Sequence, residues 1–311
     1  MAGNASKRQV SGLRRIAPAV LCLASLGCDQ TAQPPAPAQA THQSRSDTEP
    51  MPPRHVAQPT PLLAPQARLD EAIGDAIDWL SRALDSEWPA DVAALLGFMG
   101  RAFDAPGLDA LAQKALATAD AETAAKQGLT RPFYRLLDPN ARPTEAELLA
   151  VSGLTGAVTA QALHCDWLPL APAFWSALDR LAADGGYGLT HAMLASVWVE
   201  ENACKADPAR LVQLRADGSR RLVELLDRGR GPTDLQVEAL AMLFYAGQRA
   251  SVQPRHVDAL LALRRADGGW ALDGDRSASH PHTTALALWV LLEARHPQRP
   301  RVAMVPRRAG G

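Results

Sequence analysis

The strongest constraint on this chain is an alternation between two kinds of helix-forming segment. Residues 192–199 (AMLASVWV), 240–246 (LAMLFYA) and 285–292 (ALALWVLL) are apolar on nearly every side. Between them lie charged amphipathic segments such as 210–227 and 255–265, and nothing reads as a strand of period two. A helix apolar all round must be surrounded by protein, whereas one with a polar face can coat the outside. The apolar helices start near residues 144, 190, 233 and 282, a spacing of roughly 45 residues that marks stacked helix pairs.

Helical periodicity begins at Leu69, with Ile73, Ile77, Leu80 and Leu84 on one face. Turn signals recur at 104–107 (DAPG), 138–143 (DPNARP), 184–186 (DGG), 229–232 (GRGP) and 267–269 (DGG). They divide the chain into ten expected helices near 69–85, 89–104, 107–125, 144–163, 169–183, 190–203, 208–227, 233–248, 254–266 and 282–295. The second of each pair is the inner helix, the first the outer. The expected fold is all-α, about five hairpins spanning residues 68–300, with 301–311 as a disordered tail.

Residues 1–28 carry a different message. Lys7, Arg8, Arg14 and Arg15 precede an apolar stretch, 16–27 (IAPAVLCLASLG), as in an export signal. No apolar run is long enough for an ordinary spanning helix. The segment ends with Gly27 before Cys28, which resembles the lipobox of bacterial lipoproteins; Ser25 stands where those signals favour Leu. The resemblance implies lipidation at Cys28 and anchoring on the periplasmic side of a bacterial envelope membrane. Asp29 resembles the signal that retains such proteins in the inner membrane. An ordinary secretory signal cut near the same point is the alternative. Residues 29–67 are dense in Pro, Gln, Ala, Ser and Thr and form an extended, disordered tether.

Two repeat units are alike. One reads Asp184-Gly185-Gly186-Tyr187, then His191, then Trp198; the other reads Asp267-Gly268-Gly269-Trp270, then His282, then Trp289. The whole resembles the α/α toroid of terpenoid cyclases, protein prenyltransferase β-subunits and complement-type thioester domains, in which such turns precede inner helices. The likeness is carried by 180–295 and rests on helix alternation over 69–180. It implies a ring of inner helices inside a ring of outer ones, closed or incomplete, and speaks to fold more than to function.

The family's chemistries are not matched residue by residue. His282-Thr283 resembles one piece of the prenyltransferase zinc site, but no Asp-x-Cys partner precedes it. Asp273-Gly-Asp275-Arg276 lacks the last acid of a cyclase proton-donor motif, and three Tyr with five Phe are few for carbocation chemistry. A thioester motif is absent too. In the toroid the expected helices 144–163 and 190–203 are neighbours running the same way, which would bring Cys165 and Cys204 together as a disulfide. Two separate thiols are the alternative, and a zinc site including His164 is a further one.

Inner helices running in parallel bring their N-termini to one mouth. Near these starts stand Asp91, Glu145, Glu147, His191, Asp234, Gln236, His280 and His282. His191 and His282 are candidates for general-base chemistry; Asp91, Asp234, Gln236 and His280 are candidates for binding. Asp273, Asp275, His280 and His282 form a weaker candidate metal set. The alternative for each is helix capping. With 32 basic and 33 acidic residues the chain shows no excess suited to nucleic acid. No nucleotide or hydrolase motif is present, and no cofactor is expected. Two functions follow: an envelope binding or scaffolding module for a peptide, glycan or lipid-derived ligand, or a hydrolase- or lyase-type enzyme using His191 and His282.

Overall fold

The computed structural model describes residues 63–83, 90–118, 131–229, 234–272 and 278–305. The expected signal segment, with Cys28 and Asp29, and the expected tether up to residue 62 lie outside the described residues. Among the described residues the protein is all-α, with eleven α-helices, two 3-10 turns and no strand. The helices are α1 (Gln66–Ala83), α2 (Ala90–Phe103), α3 (Pro106–Thr118), α4 (Glu145–Leu149), α5 (Leu154–His164), α6 (Phe174–Asp184), α7 (Gly186–Glu201), α8 (Pro208–Arg228), α9 (Asp234–Tyr245), α10 (Pro254–Ala262) and α11 (Pro281–Arg295). None of them is long and apolar enough to cross a membrane.

Burial follows the alternation in the sequence. In α9 every residue except Leu235 is buried, and α11 is buried continuously from Thr283 to Ala294. By contrast α8 buries Leu211, Arg215, Gly218, Ser219 and Leu222, one stripe at helical spacing. Helices α5, α7, α9, α11 and α2 pack side by side in that order, so the last apolar helix lies against the first. Against them lie α1 on α11, α3 on α2, α6 on α5 and α7, α8 on α7 and α9, and α10 on α11.

The apolar helices run in one direction. Asp91, Tyr187, Asp234 and His282, all in first turns, lie together at one pole. Glu201, Tyr245 and Glu293, near the other ends, lie along a strap of residues 296–305. The strap differs from expectation: 301–305 fall within the expected disordered tail, yet Met304 and Val305 are buried and Arg101 of α2 donates to the Met304 carbonyl. At the other end of the domain, Leu63 and Ala64 are already buried and α1 starts at Gln66, so the packed region begins earlier than residue 68.

A second correction concerns the expected helix 144–163. The chain breaks after α4, and α5 starts only at Leu154. Gly153 there has φ 76°, a conformation that side chains with a Cβ rarely adopt, and it ends helical continuation. The two Asp-Gly-Gly turns also diverge. Both use positive φ, at Gly185, Gly186 and Gly268. However, Tyr187 is already inside α7 and half-exposed, whereas Trp270 is buried outside any helix and donates its indole N–H to the Leu260 carbonyl.

The disulfide expected between Cys165 and Cys204 is present, with Cα atoms 5.6 Å apart. It joins the C-terminal ends of α5 and α7. His164 beside it is fully buried, and its Nε2 contacts the Pro132 carbonyl at 2.6 Å, so this histidine is a packing group and the zinc alternative falls away.

Candidate functional site

The first turns of α2, α7, α9 and α11 build a cluster of carboxylates and imidazoles. Asp234 opens α9 and is buried. Its Oδ1 accepts from Thr283 Oγ1 at 2.6 Å and lies 3.1 Å from His282 Nδ1, while its Oδ2 accepts from the Tyr187 hydroxyl at 3.0 Å. On its other side His282 places Nε2 3.6 Å from the Asp91 carboxylate. One turn along α9 from Asp234, Glu238 accepts from Thr190 Oγ1 at 2.5 Å and stands 3.4 Å from His191 Nδ1. A single face of α9 thus carries one acid for each histidine, Asp234 for His282 and Glu238 for His191.

The electrostatics follow from burial and pairing. Burial alone would lower the His282 pKa, but the hydrogen bond to Asp234 and the charges of Asp91, Asp234 and Glu238 outweigh it and raise it to about 9. Burial would likewise raise the Asp234 carboxyl, and it is overcome by His282, Thr283 and Tyr187, which hold it at about 2. At neutral pH this pair is therefore an imidazolium between carboxylates. The His280 ring lies 6.5 Å from that of His282. Burial, followed by the positive charge of His282, pushes His280 below its usual value.

The two candidate catalytic histidines are not equivalent. Both ring nitrogens of His282 face acids, which leaves no lone pair to accept a substrate proton. His191 lies in the second turn of α7, and its Nδ1 contacts the Tyr187 carbonyl at 2.8 Å. The Nδ1 hydrogen is assigned there because a carbonyl accepts only, so in the neutral form of the ring, 30% exposed, Nε2 is the acceptor.

The other expected residues divide. Asp91 and Asp234 join the cluster, and His280 borders it as the residue preceding α11. Gln236 is buried against Gly229, where a Cβ would overlap its amide, and so faces away toward the end of α8. Glu145 and Glu147 do not belong to the mouth. The break at Gly153 puts them on α4, where Glu147 forms a capping box with Thr144. Asp273 and Asp275 lie outside the described residues. Among the described residues no group of three or more His, Cys, Asp or Glu is placed to hold a metal ion.

Sequence reasoning missed Thr190 and Glu238, and it named Tyr187 and Thr283 only as parts of a repeat turn and of a family motif. Glu238 had a signal: it stands four residues after Asp234 in a segment otherwise apolar but for Gln236, and a buried acid there needs a partner. No family model, no curated protein and no solved structure matches this chain.

Proposed function

We propose that this chain is a lipid-anchored binding module of the bacterial envelope, an α/α toroid whose N-terminal mouth receives a ligand rich in hydrogen-bond donors, such as a glycan or an amine-bearing peptide. The toroid reading rests on the order of the apolar helices, with α11 against α2, and on residues 131–137 spanning from the end of α5 to α2 and α3. The anchor reading rests on Gly27-Cys28 after a basic and apolar leader, followed by a Pro-rich tether. Asp29 favours the inner membrane, periplasmic side.

The observation that carries the binding reading is the clamping of His282 between Asp234 and Asp91. An enzyme using His191 and His282 together needs two imidazoles able to exchange protons near neutrality. One of them is instead a fixed cation that shapes the mouth. What remains for a ligand is acceptor chemistry: the His191 Nε2, the outer edge of Asp91 and the half-exposed ring of Tyr187.

Calorimetric titration of the detergent-purified full chain with chitotetraose and with a lysine-containing tetrapeptide tests this. One of the two probes is expected to bind saturably, and His191→Ala should weaken it about tenfold without lowering the melting temperature. Absence of binding by both probes, or equal binding by the variant, overturns the reading. Cys28→Ser is expected to move the protein from the membrane to the soluble fraction.

A further inference from the structure

One carbonyl in the mouth is contested. Tyr187 and His191 are four residues apart in α7, so the His191 backbone N–H takes one of the two lone pairs of the Tyr187 carbonyl. Two side chains reach for the other: His191 Nδ1 at 2.8 Å and Thr190 Oγ1 at 2.9 Å. A threonine hydroxyl has a single hydrogen, and Thr190 has a second acceptor in Glu238 of α9, closer at 2.5 Å. A carboxylate is the stronger acceptor, so the hydrogen goes to Glu238 and the carbonyl is left to the imidazole. Thr190 and Glu238 are both buried, where losing a partner is costly.

The surroundings of Nδ1 agree. The Tyr187 carbonyl lies 2.8 Å from it, and the Thr190 hydroxyl and the Glu238 carboxylate each lie 3.4 Å away. The carbonyl and the carboxylate only accept, and the hydroxyl has given its hydrogen away. A bare Nδ1 would face three oxygens with no hydrogen to share, so Nδ1 carries its own. The Glu238 side chain is 10% exposed against 30% for His191. Glu238 therefore acts behind the imidazole, while His191 meets whatever enters.

We infer that Glu238 is a positioning residue that sets what the mouth selects. It draws off the Thr190 hydroxyl, leaves the Tyr187 carbonyl to His191, and so fixes the neutral imidazole with Nε2 bare. At that point the mouth takes a ligand N–H or O–H and rejects an ether or carbonyl oxygen, which would leave two acceptors face to face. The selectivity depends on the mouth being the binding site proposed above, whereas the tautomer does not.

The tautomer is read by two-bond 1H–15N spectra of the detergent-purified full chain at pH 8, labelled with 15N-histidine. The His191 signals are those that His191→Ala removes. Wild type should show the hydrogen on Nδ1. Glu238→Gln keeps an acceptor for Thr190 and should match it. Glu238→Met has a similar shape and no acceptor; Thr190 then takes the carbonyl, and the hydrogen should move to Nε2. Adding Thr190→Val removes the competitor and should return the hydrogen to Nδ1. That double variant leaves no hydroxyl unmatched and decides alone if Glu238→Met melts early. Whichever probe the wild type binds, chitotetraose or the tetrapeptide, should bind Glu238→Met about tenfold more weakly and recover in the double variant. If neither probe binds, the binding reading fails and the spectra still decide the role of Glu238. An Nε2 hydrogen in wild type or in the double variant, an Nδ1 hydrogen in folded Glu238→Met, or equal probe binding by that variant would each overturn the assignment.

Discussion

His282 is held by acids from two neighbouring helices, and its ionisation ties those helices together. Its folded pKa of about 9 lies above the ordinary 6.5, so its contribution is complete below pH 6.5 and fades as pH rises through 9. Asp234 behaves oppositely: at about 2 against an ordinary 3.8, its contribution is complete above 3.8 and fades as pH falls toward 2. The pair is at full strength between those two ordinary values. Wild-type protein is expected to lose about 2 kcal/mol from this site between pH 6.5 and 9.5, after allowance for the part of the ring that meets water. Melting curves of wild type and His282→Gln across that range isolate the effect, because other titrating groups are common to both. Parallel pH profiles for the two proteins would mean that no buried imidazolium exists.

Between elements, the ends of α5 and α7 show how several weak devices act on one junction. The last carbonyls of a helix lack intrahelical partners. Here Asn202 donates to the Ala162 and Leu163 carbonyls at 3.1 and 3.2 Å. Arg135, fully buried, also donates to the Leu163 carbonyl and grips both oxygens of Asp166 at 2.6 and 2.8 Å. The disulfide closes a loop of 39 residues across this junction, worth about 4 kcal/mol in the chain-entropy account. A Cys165→Ala, Cys204→Ala double variant should lose about that much in denaturant unfolding while keeping its far-UV helical signal, because the Asn202 and Arg135 contacts remain. A loss below about 1 kcal/mol would mean that the oxidised and reduced unfolded chains are equally constrained.

These elements were unevenly legible. The apolar helices could be read because burial on all sides leaves its mark on every residue, as in α9 and α11. The break at Gly153 could not, since 151–156 (VSGLTG) reads as a weak helix and one backbone dihedral decides it. Nor could the strap, whose burial rests on Met304, Val305 and backbone contacts distant in sequence. Of the mouth, the positions of Asp91, Asp234 and His282 followed from parallel helix starts. Their mutual pairing did not, because the partner of a buried acid depends on neighbours some 48 residues away.

At the scale of the whole molecule, the chain's first unit is fastened to its last. α1 is tied by Arg68–Asp258, Arg264–Glu71, Arg264–Asp75 and Arg295–Asp70, all at 2.6–2.9 Å and mostly exposed. Exposed pairs of this kind contribute from nothing to about 1 kcal/mol each, so they set register more than stability. The apolar part of the seam lies deeper. Phe98 of α2, Tyr245 of α9 and Trp289 of α11 meet edge to face, with centroids 5.1–5.8 Å apart. Trp289 is fully buried, and its indole N–H donates to Glu293 at 3.2 Å. Trp289→Ala would open a cavity between three helices and remove a donor from a buried acid, at a cost of about 3–5 kcal/mol. Trp175, partly exposed and stacked under Arg210 at 4.9 Å on an outer helix, should cost less than half as much when changed to Ala. Because the seam joins both ends of the domain, Trp289→Ala should lower the single unfolding midpoint and not split the transition in two. Equal losses for the two tryptophans, or a loss below 1 kcal/mol at Trp289, would place α11 at the periphery and undo the division into surrounded and coating helices on which both poles depend.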